Sequence, residues 1–326
     1  MRYSSAMRIV VIALVLAGGC ARHAAEPVAV TPTAPVVTTP TADALMVIAF
    51  PQWKRGAESA EGLKVPPTQV VKVRLPEAPE SSPWLPTPGN ELAPQVEPST
   101  AVAMPIEVAR LDESHAVLLA ESTLIQDGER VCGPSCSFYT FVGAYFFTHG
   151  GAGWTLSKRV DAAAFTMYGP NDPRIEEWPG HGLVFSFLDG EFHQGALAYE
   201  VVLIGLQPDR ALPLLATSIE ADNSRTPVSA GDDANEDGSD IDCGTLMGVA
   251  YAPPKDARFT GVDCQQAGGS WHFDGNLVHF KFSGTKRKDD GQGGLQPLEQ
   301  WQSAATLQLQ GNTLKLIEGT LPEFGF

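Results

Sequence analysis

Basic residues are scarce in this chain: 22 Lys and Arg stand against 38 Asp and Glu in 326 residues, a formal net charge of −16. Phosphate backbones demand clustered Lys and Arg, so this balance excludes nucleic acid as a partner. The short basic run Lys286-Arg287-Lys288 is followed at once by Asp289-Asp290 and reads as a solvated turn. Catalytic signatures are missing as well. The chain has no His-Glu-x-x-His zinc motif and no Gly-x-Ser-x-Gly nucleophile elbow. Ser283-Gly284-Thr285-Lys286 has the letters of an S-x-x-K site, but it closes a strand pattern and no Lys-Thr-Gly follows. His149-Gly150-Gly151 has the letters of an oxyanion loop, yet two glycines in a hairpin turn account for them. Helical 3.6-residue periodicity is nearly absent. The apolar run Ile9 to Ala17 is nine residues long, far short of the roughly 20 that span a bilayer as a helix.

What the N-terminus does have is an export signal. Arg2 and Arg8 precede the run with no acid among them, and Gly18-Gly19-Cys20 follows it, as in a secretory signal peptide. The string VLAGGC, ending at Cys20, resembles the lipobox of bacterial lipoproteins. That resemblance covers residues 1–21. It implies cleavage after residue 19, a diacylglycerol on the Cys20 thiol, and Cys20 as the mature N-terminus. In that family an Asp directly after the cysteine retains the protein at the inner membrane; Ala21 stands here, which implies the outer membrane. A soluble secreted chain cut near the same place is the other reading. Removing Arg2 and Arg8 with the leader leaves 20 basic residues against 38 acidic ones.

Cysteine is sparse, and that makes the remainder informative. Besides Cys20 there are Cys132, Cys136, Cys243 and Cys264, an even number in an oxidising compartment, so two disulfides are expected. Three connectivities are open; Cys132 with Cys136 and Cys243 with Cys264 closes the shortest loops.

Residues 20–44 are Ala, Pro, Thr and Val with hardly a charge and read as a tether behind the lipidated cysteine. Between 45 and 105 two short β-like runs, LMVIAF at 45–50 and QVVKVRL at 69–75, are separated by proline-dense segments. Of 26 prolines, 15 lie between Pro27 and Pro105, so edge strands with loops and partial disorder both remain open there.

Residues 106–326 read as a β-rich globular domain. Its most patterned stretch is Phe138–Thr148: alternation puts Tyr139, Phe141, Tyr145 and Phe147 on one side and Phe138, Val142, Ala144 and Phe146 on the other. Both faces are apolar, which predicts a central strand covered on both sides. His149–Gly153 supplies a turn, and Trp154 and Leu156 begin a return strand. Further strand patterns lie at 115–124, 183–188 (closed by Asp189-Gly190), 197–206, 213–219 and 245–251. Two hairpins with turn dipeptides follow at 271–282 and 304–317. The expected class is all-β, with mainly antiparallel sheets arranged as a sandwich, an open barrel or a partial propeller. Phe324-Gly325-Phe326 resembles the aromatic C-terminus of outer-membrane barrels, but an N-terminal lipid and too few regular strands argue against a spanning barrel.

The segment with a chemical flavour is 229–244. Asp233-x-Asn235-x-Asp237-Gly238 spaces oxygen ligands as calcium loops do, with Asp240 and Asp242 as further donors. The twelfth position is Gly244 where an EF-hand needs Glu, so calcium and a solvated acidic loop both remain open; no other cofactor is indicated. The function expected from all this is a lipid-anchored cell-envelope protein facing the periplasm or the surface. It would be held to the membrane by its lipid and bind an envelope protein or polymer without enzymatic activity. The alternative is a hydrolase acting on envelope or extracellular material.

Overall fold

The computed structural model describes residues 39–55, 67–74, 98–131, 140–166, 169–193, 196–228, 241–248, 258–259 and 261–322. They form an all-β domain of two antiparallel sheets. The first is built from β1 (Val70–Val73), β2 (Ser99–Arg110), β3 (His115–Gln126) with the short β4 (Glu129–Arg130), β5 (Thr140–Gly150) and β6 (Gly153–Thr166), in the order β1-β2-β3-β5-β6. The second starts with β7 (Asn171–Trp178), β8 (Gly182–His193), β9 (Ala196–Gln207) and β10 (Arg210–Asp222). After an insertion of β11 (Pro227–Val228), β12 (Ile241–Asp242) and the helix α2 (Cys243–Met247), it continues through β13 (Asp263–Asp274), β14 (Leu277–Lys288), β15 (Glu299–Gln310) and β16 (Thr313–Gly319). Its order runs without crossover from β7 to β16. Such a meander needs only tight turns: Gly275-Asn276 and Gly311-Asn312 make two of them, each Gly at positive φ.

The strand expected to be covered on both faces is β5, which lies between β3 and the edge strand β6. Phe141, Tyr145 and Phe147 bury one face against a helix that precedes the first sheet, α1 (Ala42–Ala49), while Val142, Ala144 and Phe146 bury the other against Phe185, Phe187, Val202 and Ile204 of the second sheet. From Phe141 onward the alternation read from the sequence is thus the partition between two cores; Phe138 and Tyr139 lie outside the described residues. Gly143 interrupts the large residues because the Tyr145 ring lies over it; a Cβ there would stand 2.7 Å from Tyr145 Oη. A third core fills the inside of the second sheet, which folds back on itself so that Val201, Leu203 and Leu214 meet Val278, Phe280 and Leu307.

Two expectations need correction. LMVIAF is not a strand: Leu45 to Ala49 are helical and Phe50 is the C-cap. Thr41 Oγ1 accepts from Ala44 N at 3.4 Å as N-cap, Leu45, Met46 and Ala49 share the buried side, and Pro51 follows the cap. TLMGVAY does not begin as a strand either. Asp242 caps a five-residue helix by accepting from Thr245 N at 2.7 Å, and Gly248 ends it; 249–257 lie outside the described residues. An apolar run of about six residues satisfies either period, and the cap decides. The strand closed at Asp189-Gly190 continues to His193, because the Tyr199 ring on β9 covers Gly190. The composition change near Ile106 coincides with no break in the fold, since β2 runs through it and pairs with β1.

Candidate functional site

In the second sheet, β10 and β13 touch as strands at one end only, through the pairs Ala221 with Ala267 and Asp222 with Gln266. Beyond that point they separate. β10 keeps its ladder with β9 and β13 keeps its ladder with β14, so a fork opens between Ile219-Glu220 on one prong and Gly268-Gly269-Ser270 on the other. Asp172, Arg174, Glu176, Leu188 and Trp271 complete an open cleft of about 210 Å³.

The sequence shapes this place locally. β13 carries two glycines in its interior, and Gly269 is required: its Cβ would sit 2.6 Å from Ile219 Cδ1 and 2.8 Å from Phe282 Cδ1. Without side chains at 268 and 269, the backbone of β13 itself lines the cleft. At the inner end the Trp271 indole Nε1 donates to Glu176 Oε2 at 3.1 Å, and Ser186 Oγ, fully buried, donates to the same oxygen at 3.2 Å. Both donors converge on Oε2. The half-buried Trp271 ring and the Glu176 carboxylate are therefore each held in one orientation by the other. Just beyond, Trp178 Nε1 donates to Gly275 O at 2.5 Å and its ring lies 5.0 Å from that of Phe273, which closes the fork. At the rim Asp172 pairs with Arg174 in the open. Chemically the cleft offers a fixed acceptor, a fixed aromatic plane, strand backbone and the apolar Leu188.

A second polar cluster lies under α1. Arg159 Nε donates to Asp161 Oδ1 at 2.5 Å, Arg159 Nη2 donates to Lys72 O at 2.5 Å, and Arg74 N donates to Asp161 Oδ2 at 2.6 Å. The guanidinium also lies 4.5 Å from the Phe50 ring centre and 5.6 Å from that of Tyr145. Burial, with the Asp161 carboxylate second, pushes the Tyr145 hydroxyl well above the ordinary phenol range. Tyr145 Oη and Ser122 Oγ are buried without a hydrogen bond of ordinary geometry. No substrate reaches them, because Tyr145 and Ser122 are wholly buried. The cluster ties α1 and β1 to β6, the strand at the other end of the first sheet's order. A groove beside Trp53, Pro105, Pro170 and Glu121 is bordered by Arg55 and Gln69, between which lie residues outside the described set.

The residues named from sequence fall as follows. Cys243 and Cys264 form a disulfide, S–S 2.01 Å, that ties α2 to β13 beside a small core of Leu246, Phe259 and Val262. Cys132 and Cys136 lie outside the described residues, as do Cys20, Asp233, Asn235, Asp237 and Asp240. Asp242 is described: its carboxylate serves the α2 N-cap, and that hydrogen bond from Thr245 N lowers its pKa. Among the described residues no three His, Cys, Asp or Glu side chains converge as metal ligands. Ser283 and Lys286 sit three apart on a strand and so on opposite faces; Lys286 pairs with Glu299 at 3.2 Å. The basic run is the end of β14 rather than a turn, with Lys288 on Asp263 at 2.7 Å and Arg287 donating to Leu246 O at 2.5 Å. His149 is exposed at the β5–β6 turn, its ring 5.0 Å from that of Trp154.

Sequence reasoning missed Glu176, Ser186 and Trp271 as a group, since three strands contribute them. The available signal was Gly268-Gly269, a pair of glycines inside a strand, which marks close approach of backbone to something else. No family model matches the chain, and no curated protein or solved structure matches it either.

Proposed function

We propose that the chain is a lipid-anchored envelope protein whose β domain is a binding module, with the fork between β10 and β13 as its ligand site. The leader and Cys20 support the anchor: export, acylation and residence at the outer membrane, facing the periplasm or the surface, follow from the lipobox resemblance. One observation carries the binding reading. Glu176 is held by two donors on one oxygen, which leaves it a rigid acceptor for a guest instead of a mobile acid or base. The ligand is an envelope polymer or an envelope protein.

The alternative is a hydrolase of the same material, favoured by the carboxylates of Glu176 and Glu220 in one cleft. One experiment separates the two. The full-length protein, purified in detergent, is mixed with insoluble envelope polymer, and both co-sedimentation and release of soluble fragments are followed. Saturable co-sedimentation without fragment release, weakened in Glu176→Gln, is the expected result. Release of fragments that stops in Glu176→Gln while binding persists selects the hydrolase. Co-sedimentation equal to that of an unrelated acidic lipoprotein removes the binding reading.

A further inference from the structure

We infer that the fork accepts a carbohydrate, one or two pyranose rings of a glycan; this rests on the reading of the fork as the ligand site. The first constraint is length. The free edge of β13 begins after Ala267 and is closed again where Trp271 reaches Glu176, so only Gly268, Gly269 and Ser270 are open to a guest. Strand addition by a peptide uses a longer run and pockets for alternate side chains, and two glycines supply none. The guest is compact along the strand.

The second constraint is charge. Asp172 is compensated by Arg174, and Glu176 is hydrogen-bonded by Ser186 and Trp271. Glu220 adds a third carboxylate against one guanidinium, so the cleft is acidic overall, but among the described residues no three acidic groups converge as metal ligands. The cleft presents acceptors in fixed directions. Glu176 Oε1 takes neither of the two donors that hold Oε2, and the edge of β13 beside Gly268–Ser270 offers backbone carbonyls and amides with no strand alongside among the described residues.

The third constraint is polarity within the guest. The lining sets the apolar Trp271 ring and Leu188 beside the polar Glu176, Glu220 and the backbone of β13. A pyranose has that division: a C–H face that lies on an aromatic or aliphatic surface and a rim of hydroxyls that donate to carboxylates and carbonyls. Because the Trp271 plane is pinned through its own N–H, no rotamer freedom is lost when a ring lies on it.

The test uses the full-length protein in detergent, titrated by calorimetry and tryptophan fluorescence with cellohexaose, maltohexaose and the N-acetylglucosamine hexamer, and with tetralysine as the cationic comparison. At least one hexasaccharide should bind saturably, and Glu176→Gln and Trp271→Phe should each weaken it tenfold or more. Trp271→Phe keeps an aromatic plane while losing the Glu176 contact, so an unchanged melting temperature separates a lost site from a lost fold. Hexasaccharide binding insensitive to both variants overturns the assignment to the fork. If no hexasaccharide binds while polymer co-sedimentation remains sensitive to Glu176→Gln, the ligand class is wrong and the site stands. If co-sedimentation is insensitive too, both readings fall. Binding of tetralysine alone replaces the glycan with a cationic ligand.

Discussion

Replacing Asp161 with Ala should release the N-terminal helix from the first sheet before the rest of the domain yields. Asp161 is buried, its side chain 5 % exposed, and it accepts from Arg159 Nε and Arg74 N. Without it the guanidinium, 31 % exposed, is left between the Phe50 and Tyr145 rings with no counter-charge, and the Arg74 amide loses its acceptor. Removing one partner of a buried pair costs about 3–5 kcal/mol. The partial exposure of Arg159 puts the loss near the lower figure, about 3 kcal/mol. On a domain of this size that is a drop of roughly 6–12 °C in melting temperature. Removing both charges in Arg159→Met with Asp161→Leu should cost less than Asp161→Ala alone, since no unpaired charge remains. Urea unfolding gives the free energies, and hydrogen exchange of Leu45 to Phe50 reports the helix directly. A loss below about 1 kcal/mol for Asp161→Ala, or a double variant no better than the single one, would refute the clamp.

Glu200 stands opposite Asp189 across β8 and β9; burial first, and the Asp189 charge second, raise its pKa above the ordinary carboxylate value. Its contribution to stability is therefore complete below the usual Glu range and is lost as the pH rises through the raised value. Wild type should lose melting temperature relative to Glu200→Gln as the pH rises above the ordinary Glu range, and parallel curves count against this. Reducing the Cys243–Cys264 bond, whose partners are 21 residues apart, should destabilise the domain by about 3 kcal/mol; an unchanged melting temperature in reductant means that the bond contributes nothing. Cys20→Ser should leave a chain that no longer partitions into membranes, checked by fractionation with detergent, because the acyl chains supply the anchoring. Phe146→Ala opens the core between the two sheets and should cost about 3–5 kcal/mol by urea unfolding; less than about 1 kcal/mol would place Phe146 outside it.

The sequence made β5 legible because both of its faces repeat with period two, and the two cores it divides are those faces. The hairpin turns were legible from Gly275-Asn276 and Gly311-Asn312. β7 was not. NDPRIEEW carries Pro173 and four charges on a sheet edge and buries only Trp178 fully, so its pattern is that of a loop. α1 and α2 escaped notice because short apolar runs fit either period until a cap residue is weighed. The fork lay beyond reach for a different reason. It exists because β10 and β13 share two residue pairs and then part, and such a choice between ladders is set by packing of Ile219, Gly269 and Phe282, residues far apart in the chain. The acceptor Glu176 looks like one more charge on an exposed strand until Ser186 and Trp271 are brought to it.

Hydrogen exchange of the full-length protein, with and without envelope polymer, locates the ligand site most directly. Protection confined to the amides of Ile219–Ala221 and Gly268–Trp271, absent in Glu176→Gln, is the predicted result. Protection that appears elsewhere in the domain and leaves those amides unchanged would contradict the fork as the site.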